Sequence, residues 1–120
     1  MKPWLQKNRE RLRRRWQRWQ DNRRLTATAA RVRSAAPPPA PAARPVIFFN
    51  ASTRLEGLSL NAAFSLISSW AVQFAGAPVI HFVCRQGLSR CVLGTRRDDP
   101  LALPPCGPCQ AQSRAVYAHA

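Results

Sequence analysis

Acidic side chains are scarce in this chain: five Asp and Glu stand against 19 Lys and Arg, for a formal charge of +14. Asp98 and Asp99 precede Pro100 and suit a turn, and no second acidic cluster is available to join them on a cation. A secretory signal is missing as well, because no apolar stretch of about 7–15 residues follows the basic start. The most apolar region, residues 59–76, is broken by Asn61, Ser65, Ser68, Ser69 and Gln73. It falls short of the ~20 apolar residues that a spanning helix needs. The sequence therefore reads as cytoplasmic, and the sequon at Asn50 carries no weight. No Gly-Lys-Ser/Thr phosphate loop is present. There are no zinc-finger histidines, no helix-turn-helix turn and no aromatic strand motif for reading nucleic acid. Cys109 and His119 lack a third group to orient them, which argues against a self-contained hydrolase.

The positive charge is unevenly spread. Residues 1–45 hold 13 Lys and Arg against Glu10 and Asp21, a balance of +11, whereas residues 46–120 balance at +3. Residues 1–34 read as a basic amphipathic helix, since Leu5, Leu12, Trp16 and Trp19 recur at spacings of 7, 4 and 3 on one narrow face. Arg13, Arg14, Arg15 and Arg18 sit among them, with further Arg and Lys around the rest of the helix. Tryptophans on a cationic helix suit the headgroup level of an anionic membrane, at the inner face of a cell membrane if the chain is cytoplasmic. The same charge would hold nucleic acid through its phosphates, without reading sequence. A solvated basic tail is the plain alternative.

Residues 35–45 form a Pro/Ala-rich linker, expected to be a semi-rigid extended spacer. Beyond it, Val46-Ile47-Phe48-Phe49 has the continuous apolar character of a buried strand. A helix capped by Ser59 or Asn61 and ending at Gly76 follows, and then a second strand, Val79 to Cys84. Strand, helix and strand in under forty residues predict a parallel βαβ unit. The expected fold class is α/β: a partial Rossmann-like βαβ unit preceded by the basic helix and the linker. Residues 46–120 make up this α/β region, with a Cys-rich segment at 84–109 and a short helix near Gln110 to Tyr117. Two parallel strands form a thin sheet, so the expectation is an amino-terminal piece of a larger α/β protein.

Four cysteines, Cys84-x6-Cys91 and Cys106-x2-Cys109, supply the most specific spacing. Two intervening residues let both sulfurs reach one ion, and Pro104, Pro105, Gly107 and Pro108 favour a tight turn. Zinc shared by four thiolates would be structural, because four thiolates leave no open position for water. Reduced, unliganded cysteines and disulfides are the alternatives, the latter disfavoured in a cytoplasmic chain. His81 lies in an apolar strand and reads as an interior histidine.

The stretches FNASTRLEGLSLNAAFSL (residues 49–66) and VIHFVCRQGLSRCVLGT (residues 79–95) resemble the opening of bacterial glycosyltransferase-like proteins of capsule and surface-polysaccharide synthesis. These are built from two Rossmann-like domains facing a cleft, and the resemblance spans residues 46–117. It implies an acceptor-side domain, inactive alone, with nucleotide sugar bound only if a second domain is present. It also places the loop after the first strand at the cleft. There Asn50, Arg54, Gly57 and Ser59 would contact substrate and Glu56 would act as a general base. As a plain alternative, Arg54 and Glu56 are solvated loop residues and Ser59 only a cap. The competing class of function is a small zinc-stapled binding module whose basic arm holds nucleic acid or membrane.

Overall fold

A run of 33 residues with proline only at its first position, Pro3–Ala35, forms α1. Proline is tolerated there because the first N–H groups of a helix have no intrahelical acceptor. At 1.5 Å per residue the helix is about 50 Å long. The computed structural model describes residues 3–50, 60–87, 91, 101, 103–104 and 106–118. Its other elements are β1 (Val46–Asn50), α2 (Leu60–Phe74), β2 (Val79–Val83) and α3 (Cys106–Tyr117). Hydroxyls that could interrupt α1 are satisfied within it. Thr26, Thr28 and Ser34 donate to the carbonyls of Asn22, Arg24 and Ala30 at 2.9, 2.9 and 3.1 Å.

The linker is pinned rather than free. The Ala40 N–H donates to the Gly76 carbonyl at 3.1 Å, and a turn closes from the Ala43 N–H to the Ala40 carbonyl at 2.9 Å. The Val46 N–H then donates to the Pro78 carbonyl at 2.9 Å, and this leads β1 into the sheet. The spacer expected from its prolines is therefore tied to the end of α2.

β1 and β2 pair in parallel, Val46 opposite Val79 through Asn50 opposite Val83, as a two-stranded sheet. The protein is thus mixed α/β, built on a strand–helix–strand unit. α2 packs on both strands and stops at Gly76, which adopts a left-handed φ of 77°. The Gly76 N–H bonds the Gln73 carbonyl at 2.9 Å and the Ala77 N–H bonds the Val72 carbonyl at 3.2 Å. This is the paired closure that a C-terminal glycine permits, and Pro78 prevents the helix from resuming.

Among the described residues the buried apolar core consists of Ala29 from α1, Ala62 and Leu66 from α2, and Val116 from α3. Leu25, Trp70 and Tyr117 pack around it. α1 therefore joins the body along its carboxy-terminal half, where the Gln112 side-chain amide also donates to the Asn22 side chain. Its amino-terminal half extends away, and the molecule measures 62 × 31 × 19 Å. The radius of gyration is 17.2 Å, against about 14 Å for a compact chain of this length.

One face of the sheet meets α2 and α3; among the described residues nothing packs on the other. Alternation along the strands turns Phe48, Asn50 and His81 inward and Ile47, Phe49, Ile80 and Phe82 outward, where all four are exposed. Phe49 and Phe82 stack across the outer face with ring centroids 5.2 Å apart. The outward side of α2 adds Phe64 and Ile67, also exposed.

Candidate functional site

The basic arm is the first candidate. Leu5, Leu12, Trp16 and Trp19 are all exposed on α1, as are Arg13, Arg14, Arg15 and Arg18. At 100° per residue the four apolar side chains fall within about 60° of the helix circumference. Asn22, Leu25 and Ala29 face the body from a different side, so the tryptophan stripe points away from the residues that α1 packs on. Trp4 is exposed near the tip. The Arg23 guanidinium lies 4.8 Å from the centre of the Trp19 ring, one helical turn along. That stacking holds an indole and a cation side by side on the surface. Among the described residues no helix is long and apolar enough to cross a membrane.

The second candidate is a polar cluster at the carboxyl end of the sheet. Asn50 closes β1 and is buried. Its side-chain carbonyl accepts from the Ser65 hydroxyl at 2.6 Å, which turns its amide toward Nδ1 of His81 at 3.5 Å. Ser65 had looked like an interruption in an apolar run, but it orients Asn50. The His81 ring lies 4.2 Å from the Tyr117 ring and 5.8 Å from that of Phe48. Burial lowers the pKa of His81 below its usual 6.5. Burial, followed by the nearby Cys109 thiol, pushes Tyr117 up to about 12. His81 is thus an interior, neutral histidine. Its Nε2 and the Tyr117 hydroxyl are both buried without a hydrogen-bond partner among the described residues. The resemblance assigned Arg54, Glu56, Gly57 and Ser59 to the loop after β1, and these lie outside the described residues; Asn50 is the one member of that set with a defined place.

The cysteines form the third candidate. Cys84 directly follows β2, while Cys106 and Cys109 occupy the first turn of α3, three residues apart and hence on one face. The sequence suggested a turn there and a helix only from Gln110. The helix starts four residues earlier because Pro108, as its third residue, has no intrahelical acceptor to lose. The Cys106 N–H is held by the Pro104 carbonyl at 2.8 Å. Gln86, at a left-handed φ of 64°, turns the chain after β2, and its side-chain carbonyl accepts from the Gln110 amide at 3.4 Å. This contact lies one residue from Cys109 and two from Cys84, so it brings the end of β2 against the start of α3. All four cysteines are half-buried and none is in a disulfide. The Cys106 thiol is pushed up by burial and then by Cys84, Cys91 and Cys109. As the side chains stand, no three Cys, His, Asp or Glu among the described residues are close enough together to hold a metal ion.

The chain matches no family model, and no curated protein or solved structure shows significant similarity to it.

Proposed function

We propose that this protein is a peripheral binding protein of anionic membrane surfaces, with α1 as the docking element. The observation that supports this most is the arm itself. Trp16 and Trp19 stand open beside Leu5 and Leu12, with Arg13, Arg14, Arg15 and Arg18 around them, on a half-helix turned away from the body. Arginines draw the helix to anionic headgroups, and each basic residue near such a surface is worth about 1 kcal/mol. Indoles then settle at the headgroup level, where an apolar ring with a polar N–H is best accommodated. Binding of phosphate polymers such as nucleic acid would use the arginines and leave the tryptophans idle. The test is partition of the full chain among anionic vesicles, zwitterionic vesicles and duplex DNA. Preference for anionic vesicles that survives an excess of DNA supports the reading; transfer to DNA contradicts it.

A second reading follows from the sheet. Ile47, Phe49, Ile80 and Phe82 form an exposed apolar face on two parallel strands, and parallel sheets are ordinarily covered on both faces by further βα units. Asn50 closes β1 at the carboxyl edge, where α/β sheets take their ligands. Both features suit the acceptor side of a surface-polysaccharide glycosyltransferase, kept by α1 close to lipid-linked acceptors, with nucleotide sugar bound by other chain. Arg54, Gly57 and Ser59 would then help Asn50 hold the acceptor, and Glu56 would be the base. Retention on vesicles carrying a lipid-linked saccharide, above that on the same vesicles without it, supports this reading. Equal retention removes it and leaves the docking role alone.

A further inference from the structure

Two thiols open α3, which starts with the run Cys106-Gly107-Pro108-Cys109. Residues three apart in an α-helix lie on one face, and the helical rise and twist put their Cα atoms about 5 Å apart. A disulfide spans Cα separations of about 4.4–6.8 Å, so this pair can close a ring within the first turn. Both thiols are reduced and half-buried. Gly107 and Pro108 between them are exposed, and a Cβ added at Gly107 would meet nothing within 4 Å. From this geometry we propose that Cys106 and Cys109 form a redox-active dithiol that exchanges with a disulfide supplied from outside the chain.

The two intervening residues suit that chemistry. Gly107 leaves open space beside the pair for an incoming disulfide. Pro108 stands where the helix has no acceptor for its missing N–H, and its fixed φ keeps the turn in shape. The amino-terminal end of a helix carries partial positive charge, which favours a thiolate on its first residue. Cys106 is that residue and is the attacking sulfur, with Cys109 as the resolving one. The Cys106 thiolate attacks one sulfur of the external disulfide RSSR, which forms a Cys106–SR bond and releases RS⁻. The Cys109 thiol gives its proton to solvent, and its sulfur attacks Sγ of Cys106 and expels the second RS⁻. Both leaving thiolates take up protons, so the sum is dithiol plus RSSR giving a ring disulfide plus two RSH. The pair is oxidised by two electrons and the external disulfide is reduced by two. A thiol reductant restores the pair by the reverse steps.

The fold holds this turn on a rigid support. Beyond the pair, α3 is anchored by Val116 in the core, Tyr117 against His81 and Gln112 against Asn22 of α1. The hydrogen bond from Gln110 to Gln86 at 3.4 Å sets its first turn beside the end of β2. A ring confined to that turn changes the sulfur chemistry and leaves the anchored part of the helix in place. A Cys-x-x-Cys pair beside a strand–helix–strand unit is an arrangement suited to such exchange. This inference stands apart from the membrane reading, because thiol exchange and vesicle binding can each fail without the other.

The test uses the full chain, reduced, with glutathione disulfide as the probe. Burial and the other thiols push the Cys106 thiol up, so the reaction is followed at about pH 8.5, where ordinary thiols are half ionised. Samples are quenched by alkylation at the half-time and their cysteines are located by peptide mapping. The expected result is one disulfide linking Cys106 to Cys109, two glutathione thiols released for each one formed, and Cys84 and Cys91 alkylated. Cys109→Ser cannot close the ring, so the glutathione held on Cys106 should rise about tenfold over the unaltered chain. If this variant fails to fold, the mapping of the unaltered chain decides the question alone. Glutathione held stably on both Cys106 and Cys109, with no ring between them, would overturn the proposal. So would a disulfide from Cys106 to Cys84 or Cys91, or reaction of Cys84 and Cys91 as fast as the pair.

Discussion

Replacing Trp16 and Trp19 together by alanine should weaken binding to anionic vesicles about 30- to 150-fold. The magnitude follows from the open area of the two rings. A tryptophan carries roughly 200 Å² of surface, and exposures of 60% and 54% leave about 230 Å² of the pair in water. Complete removal of that area from water, at about 25 cal/mol per Å², would contribute about 6 kcal/mol. Rings at the headgroup level keep part of their hydration, and taking half gives about 3 kcal/mol. The alanine methyls return a small share, which leaves about 2–3 kcal/mol, and each 1.4 kcal/mol is about tenfold. Loss of the Arg23–Trp19 stacking works in the opposite direction, since it frees a cation for the headgroups. The assay is vesicle co-sedimentation of the full chain at fixed ionic strength, with helicity checked by circular dichroism. Arg13→Gln with Arg14→Gln is the matched control, costing about 1 kcal/mol per charge and fading as salt is raised. Unchanged affinity in the tryptophan double variant, alongside a large loss in the arginine variant, would refute the reasoning and reduce the arm to a charge carrier.

Three further outcomes test the fold and its buried polar groups. Gly76→Ala forces a left-handed residue to carry a Cβ that meets nothing within 4 Å, so the cost is purely conformational. It should destabilise the protein by about 1–2 kcal/mol in denaturant unfolding, and Gly76→Asn by less. Tyr117 is the chain's single tyrosine, so its tyrosinate absorbance reads one group, with a midpoint expected near pH 12. Because that pKa is raised on folding, the contribution is present below pH ~10 and lost as pH climbs toward 12. A midpoint at pH ~10 in the folded chain would contradict the burial of the phenol against His81. His81 has its pKa lowered by burial, so the folded state disfavours the protonated ring. Its contribution is intact above pH ~6.5 and is lost as pH falls toward the depressed value. Thermal unfolding should therefore occur at lower temperature at pH 5.5 than at pH 8, and His81→Phe should flatten that slope while leaving the other histidine in place.

Much of the architecture was legible because it rests on local signals. The prolines of residues 37–45 end α1, Gly76 with Pro78 ends α2, and two short apolar runs flank an amphipathic helix. What escaped were the relations between distant segments. Ala29 looks like any alanine in a basic helix, yet its small size lets α1 pack against Ala62, Leu66 and Val116. Ser65 reads as a flaw in an apolar run until its hydroxyl is seen to donate a hydrogen bond to the Asn50 side-chain carbonyl. The start of α3 was misjudged because Pro104, Gly107 and Pro108 suggest a turn, although proline in a first helical turn costs nothing. The candidate residues of the arm were readable from periodicity alone, since exposure on a single helix needs no tertiary partner. The four cysteines were legible as a spacing alone, and as the side chains stand no three of them group closely enough to hold a metal ion.

The most direct measurement is tryptophan quenching by lipids brominated at defined acyl positions, using the full chain on anionic vesicles. Docking by α1 predicts quenching that is strongest for bromines nearest the headgroups and that disappears in the Trp16→Ala, Trp19→Ala variant. A chain that binds the vesicles with its tryptophans unquenched at every depth would contradict the account and leave α1 held by charge alone.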